Sequence, residues 1–216
     1  MPIPRYLQPR PISFPSSAAS SAALGGAPSA AITTDLGFVI EPQEQDNWCW
    51  AAVGVSVEGY FAGAQLRSQC ELANAALGRG DCCADGADDP QKCDQPWYLD
   101  RALGITGNLD MMQAGQLGVP DISTSLANKR PIGCRIGWHG GGGHFVIIGG
   151  LETGLSGTAY LHVADPIFLN SRVAYNQFPT SYQTGGSWTH TYLTISATAG
   201  GAVAFHAPPD PATIGA

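Results

Sequence analysis

An α+β fold, helices in the first half of the chain and an antiparallel sheet in the second, is predicted by three observations on the 216-residue sequence. Trp50, Val53, Val57, Tyr60 and Phe61 recur at three- and four-residue steps, the period of one helix face. From residue 132 onward short apolar or alternating runs take over, rich in Val, Ile, Thr, Tyr and Trp and separated by Gly- and Asp-rich turns. Helices before strands is not the alternation of a doubly wound sheet, and consecutive short strands joined by tight turns favour antiparallel pairing.

Composition narrows the function classes. A chain of 216 residues suits one domain plus a tail and can bury a real core. Hydrophobic residues make up 44%, ordinary for a globular protein. The net charge is −7 and the only lysines are Lys92 and Lys129, so no basic run is present to bind nucleic acid or an anionic membrane. No apolar stretch approaches the roughly 20 residues needed to span a bilayer. Residues 1–34 contain Pro2, Pro4, Pro9, Pro11 and Pro15, then an Ala/Ser/Gly-rich stretch. Such a segment buries too little apolar surface to offset chain entropy, and is expected to be a disordered linker, targeting arm or removable pro-segment. Its prolines leave no hydrophobic core after Arg5 and Arg10, so it does not read as a Sec-type signal. The folded domain is expected over 35–200, with a tail over 201–216.

The first helix is expected to carry the apolar run 50–61, with Asp46 and Asn47 as N-cap residues and Cys49 in its first turn. Unpaired backbone N–H groups and the positive end of the helix dipole favour thiolate over thiol there, and only the thiolate is a useful nucleophile. The alternative for Cys49 is a small buried apolar residue. Ser68-Gln69-Cys70-Glu71 is a capping box opening a second helix through Leu77, ended by Gly78 and Gly80. The loop over 81–90 holds four aspartates without the alternating order of a calcium loop, and reads as a solvated acidic loop. A short helix is expected over 97–103, closed by Gly104, and another over 121–129, capped at Asp121 and stopped by Pro131.

Six cysteines are present. With Cys49 free, Cys70, Cys82, Cys83 and Cys93 lie within 24 residues and permit three pairings. Adjacent cysteines rarely bond to each other, so Cys82 and Cys83 are expected to reach Cys70 and Cys93, in an order the sequence leaves open. Two such disulfides would pin a segment with little core of its own and imply an oxidising compartment at some stage. A four-cysteine zinc site, lacking a Cys-x-x-Cys knuckle, and full reduction are the competing readings. Cys134 falls in a strand pattern as a buried small residue.

Strands are expected over 132–138, 144–148, 158–163 and 187–196. His139, His144, His162, His190 and His206 are the candidate bases. His144 is the best, because it follows Gly140 to Gly143 and begins a buried strand that would fix its ring at the mouth of a cleft. His139 is second, on the loop side of the glycines. His162 alternates within a strand as a sheet residue would, and His206 lies in the tail. The glycine run is not a phosphate cradle, since no Gly-Lys-Ser/Thr follows. Asp165 ends the third strand before Pro166; strand end beside strand start on neighbouring antiparallel strands puts it near His144, to orient the imidazole.

Gln43 stands six residues before Cys49, and Gln43-Glu44-Gln45-Asp46-Asn47-Trp48-Cys49-Trp50-Ala51-Ala52 resembles the compact bacterial papain-like cysteine peptidases. These include the peptidases that trim bacteriocin leaders after a double glycine and the proteases that plant pathogens inject into host cells. The likeness runs from about 43 to about 194. It includes Gly143-His144 before an apolar strand, and Asp165-Pro166 where papain itself has asparagine. The resemblance implies a helical lobe carrying Cys49 against a sheet lobe, and a Cys49-His144-Asp165 triad with Gln43 donating to the oxyanion. It implies peptide-bond hydrolysis through a thioester with no cofactor and no metal. Trp48, Trp50, Trp138 and Gly143 are expected to line the cleft; core packing is the other reading for the tryptophans. A monomer acting on a peptide or protein, secreted or delivered outside the producing cell, is expected. The same triad also runs amide transfer, as in transglutaminases, and cell-wall amide hydrolysis. A catalytically inert, disulfide-stapled binding module is the non-enzymatic alternative.

Overall fold

The computed structural model describes residues 32–154, 157–183 and 185–197. The arm up to residue 31, the tail from 198 and His206 lie outside the described residues. The chain runs β1 (Ile32–Asp35), α1 (Cys49–Ala62), α2 (Gln69–Leu77), α3 (Leu99–Ile105), β2 (Leu109–Ala114), α4 (Val119–Ala127), β3 (Ile132–Trp138), β4 (Gly143–Thr153), β5 (Ala159–Asp165), β6 (Leu169–Ala174), α5 (Phe178–Ser181) and β7 (Gly186–Thr194). The expected α+β order holds.

α1 is buried on every side from Cys49 to Glu58, so its apolar character extends beyond one face. It packs against α2 and α3 and against β4. Its approach to α2 is close: a Cβ at Gly54 would stand 2.7 Å from Leu72 Cδ2, so any side chain there would require Leu72 to shift. The expected cap differs. The N-cap is Trp48, without a side-chain cap bond; Asn47 instead donates its Nδ2 to the Asp94 carbonyl oxygen at 3.1 Å. α2 carries the predicted capping box between Ser68 and Glu71 and ends at Gly78 in the left-handed region, φ 65°. α3 begins two residues later than expected and continues through Gly104 to a C-cap at Thr106. α4 begins earlier, at Val119 with Pro120 in its first turn. Asp121 therefore is not its cap but lies in the first turn, where the helix dipole favours a carboxylate.

The sheet is antiparallel throughout, in the order β2-β7-β3-β4-β5-β6, with β1 paired to the far end of β4. β3 occupies the edge of β4 from Gly143 to Ile148, and β1 takes over from Gly150 to Thr153. Ile32–Asp35 thus belongs to the sheet, although 32–34 read as part of the arm; four residues with a single partner strand leave little periodic signal. β4 is buried on both faces, so it reads as a continuous apolar run. Phe145 and Ile147 pack with α1 to α3, whereas Val146 and Ile148 pack with Ile122 and Leu126 of α4 and Phe178 of α5. Among the described residues no helix is long and apolar enough to cross a membrane.

Candidate active site

Cys49 is the first residue of α1, so its N–H has no partner within the helix. The chain leading into it is held from the side by residues 93–95. Asn47 N–H donates to Asp94 Oδ1 at 2.8 Å, Trp48 Nε1 to the Cys93 carbonyl at 2.7 Å, and Trp50 Nε1 to the Gln95 carbonyl at 3.0 Å. Residues 93–95 have no regular secondary structure of their own and are tied down by disulfides Cys82–Cys93 and, next to it, Cys70–Cys83. The four sulfurs are therefore paired, which removes the zinc and fully reduced readings and assigns the order left open by the sequence. The acidic loop is drawn together by ion pairs, Arg79 with Asp81 and Lys92 with Asp89.

His144 is the second residue of β4, after a turn in which Gly141 and Gly142 adopt φ of 93° and 81°, conformations that side chains rarely take. Its Nε2 lies 2.9 Å from Asp165 Oδ1, and both side chains are buried. Asp165 closes β5, the strand beside β4. Its Oδ1 also accepts the N–H groups of Ile167 and Phe168, at 2.7 and 2.9 Å. Burial works against charge on the imidazole; the charge and hydrogen bond of Asp165, with the hydrogen bond and charge of Cys49, outweigh it and raise the His144 pKa to about 10. Burial likewise opposes charge on Asp165, and the His144 charge and hydrogen bond with the two backbone donors leave its carboxyl below the usual range. The structure thus couples His144 both to Asp165, through Nε2, and to Cys49.

The other predicted residues divide. Gln43 donates its amide to the carbonyl oxygens of Gln45 and Asp46, each at 2.8 Å, and its Oε1 is buried without a partner. Trp138 stacks on the His144 ring, centroids 6.0 Å apart and planes 18° apart, and Gly143 is exposed beside it. Trp48 and Trp50 are 0% exposed and belong to the core, so the expectation that they line a cleft is corrected. Their amphipathic indoles bury the rings and spend the N–H groups on the 93–95 carbonyls. Cys134 is buried in β3, and burial pushes its thiol pKa up. His139 approaches Ser187 Oγ, His162 pairs with Asp35, and His190 approaches Thr189 Oγ1. Two surface cavities, of about 470 and 400 Å³, lie beside Asn128 and Arg130 and include none of the three residues.

Residues 30–183 match the family described as papain-like cysteine protease AvrRpt2. The chain belongs to that family. It is a papain-like cysteine protease, and its substrate is a peptide or protein. No curated protein matches it. Among solved structures, bromelain protease from Ananas comosus in complex with the E64 inhibitor is 14% identical, with a TM-score of 0.48, over 76% of this chain and 98% of its own. The proform of the Amb a 11 cysteine protease, a ragweed pollen allergen, is 13% identical, with a TM-score of 0.46, over 88% of this chain and 63% of its own.

Three contacts of this protease escaped sequence reasoning. Asp94, only 8% exposed, holds the Asn47 backbone. The edge of Phe168 meets His144, ring centroids 6.3 Å apart, opposite in kind to the Trp138 stack. Tyr182 donates its hydroxyl to Asp165 Oδ2 at 2.8 Å. Asp94 follows a half-cystine and Phe168 follows the Asp165-Pro166 turn, so proximity in sequence could have flagged both; nothing local marks Tyr182.

Proposed function

We propose that Cys49, His144 and Asp165 carry out the peptide-bond hydrolysis of this protease as nucleophile, general acid–base and orienting carboxylate, through a thioester on Cys49. The observation that carries the reading is the buried 2.9 Å bond between Asp165 and His144, whose imidazole is coupled to Cys49 and has its pKa raised to about 10. The Cys49 sulfur attacks the substrate carbonyl. The oxyanion takes the Cys49 N–H, at the start of α1, and one N–H of Gln43, which leaves the carbonyl of Gln45 or Asp46 to make it. His144 gives its proton to the leaving amine. Acylation removes the charge on sulfur, one of the supports that raised the His144 pKa, so the same ring then accepts a proton from water for deacylation. Asp165 keeps the ring oriented through both steps. Trp138 and Gly143 border the substrate at the His144 side. The two disulfides support a life outside the producing cell, in an oxidising space.

The test uses the purified chain with a peptide library and an epoxysuccinyl electrophile. Stoichiometric labelling of Cys49, cleavage that ends with that labelling, and new N-termini without transfer to an added amine are expected. Cleavage by a Cys49→Ala variant would end this reading.

A further inference from the structure

One buried polar contact has no part in that scheme. Asp165 is 0% exposed, and its Oδ1 is crowded by three donors, His144 Nε2 and the N–H groups of Ile167 and Phe168. The bond described at its other oxygen, Oδ2, comes from the Tyr182 hydroxyl at 2.8 Å. Tyr182 is 1% exposed and fixed on all sides. Its N–H and carbonyl both bond to Gly186, each at 2.9 Å, and its ring meets Phe178 edge-on at 5.2 Å. A buried carboxylate with an oxygen left bare loses much of what stabilises its charge. The phenol itself has no path to ionisation here, because burial and then the Asp165 charge push its pKa far up, so it acts only as a donor.

Resting on the assignment of Cys49, His144 and Asp165 above, we propose that Tyr182 is a positioning residue for hydrolysis: its hydroxyl keeps Asp165 ionised and aimed, and Asp165 in turn holds the His144 ring toward Cys49. The groups facing Asp165 are His144 from β4, with Cys49 of α1 behind it, the two N–H groups of the 166–168 turn, and Tyr182 from the end of α5. Its charged partner among the described residues is His144. The sign follows. Without the hydroxyl the carboxylate takes a proton at higher pH, so the acid limb of the rate profile moves up. The alkaline limb, set by the loss of the His144 proton, stays in place.

The experiment is steady-state hydrolysis of a fluorogenic peptide by the full chain between pH 3 and 11, with active sites counted by electrophile titration. Tyr182→Phe keeps the ring and removes only the hydroxyl. The expected result is a kcat about tenfold lower per titrated site, an unchanged KM and an acid limb about one unit higher. Site-specific 3-fluorotyrosine at position 182, a stronger donor, moves that limb the other way and serves also should Tyr182→Phe not fold. In an Asp165→Asn background, Tyr182→Phe adds nothing further. A wild-type kcat and acid limb in Tyr182→Phe, or a loss explained wholly by fewer titratable sites, overturns the inference while leaving the triad standing. Undiminished hydrolysis by His144→Ala removes the triad, and the role of Tyr182 with it.

Discussion

The sulfur side and the imidazole side of the site are held by different means. On the sulfur side the support is irregular chain. Residues 93–95 lie between helices, with no ladder or helix to fix them, and disulfide Cys82–Cys93 ties them to the loop before. Their carbonyls and the Asp94 carboxylate then grip Asn47, Trp48 and Trp50 around Cys49. On the imidazole side the support is regular sheet. His144 and Asp165 sit on paired strands, and the second oxygen of Asp165 is met by Tyr182. A strand within a sheet is fixed by neighbours on both edges, so it needs no covalent tie. A loop with little core gains most from a crosslink, because the crosslink removes freedom mainly from the unfolded chain. Both disulfides lie on the helical side, and three of their four cysteines, Cys82, Cys83 and Cys93, fall in the irregular stretch between α2 and α3, while Cys70 anchors it to α2.

The largest effects should come from the groups proposed to react, one on each side. Cys49→Ala and His144→Ala are each expected to lower kcat by roughly 10⁴-fold or more, with an unchanged circular-dichroism spectrum. Next comes Asp165→Asn, which leaves the sheet intact and should cost about a hundredfold in kcat. It also tests the charge balance. His144 is raised above its usual value, so what its imidazolium supplies is complete below about 6.5 and is lost as pH rises through about 10. Asp165 is lowered, so its contribution is lost as pH falls through its native value. The alkaline limb of the wild-type profile is expected near pH 10, and Asp165→Asn should move it down. A limb that does not move would mean that the carboxylate does not set it.

The third prediction separates the two disulfides. In the chain-entropy account each loop closure, over 13 and 11 residues, contributes about 3 kcal/mol. Either double Cys→Ser variant should then lower the thermal midpoint by roughly 6–12 °C. Only Cys82→Ser with Cys93→Ser should also lower kcat per folded molecule, because only that bridge ends in the segment gripping Trp48. Equal kinetic losses from the two variants would erase the distinction between a stabilising and a positioning bridge. The smallest effect is expected for Asn47→Ala, which removes the 3.1 Å bond to the Asp94 carbonyl and leaves the backbone bond in place. A loss of about 1 kcal/mol in urea unfolding, with a few-fold change in kcat, is the expected result.

Legibility in the sequence follows the range of the forces. α1, α2 and β3 were readable because their signals are local: a helical period, the Ser68–Glu71 box, an apolar run between turns. β6 was not, because Leu169–Ala174 lies at a sheet edge and is largely exposed, so no burial pattern marks it. β2 failed likewise: Leu109–Ala114 exposes Met111 and Met112 and buries no alternate face. The site repeats the pattern. The spacing of Gln43 from Cys49 and the Gly-His and Asp-Pro phrases were visible along the chain. The engagement of the Gln43 amide by Gln45 and Asp46 was not, because it depends on a loop conformation rather than on residue type.

The sequence by itself determined which groups could do the chemistry, and in what order they come: a cysteine at a helix start, a histidine after glycines, an aspartate before a proline. Each is a statement about a few neighbouring residues, where propensity and turn chemistry suffice. Only the tertiary structure decided what stands around them. It buried Trp48 and Trp50, chose between the disulfide pairings, and brought Tyr182 against a carboxylate 17 residues away. Those outcomes depend on how α5, the sheet and the stapled loop pack together, and packing is settled by the whole buried surface at once, which no local run of residues encodes.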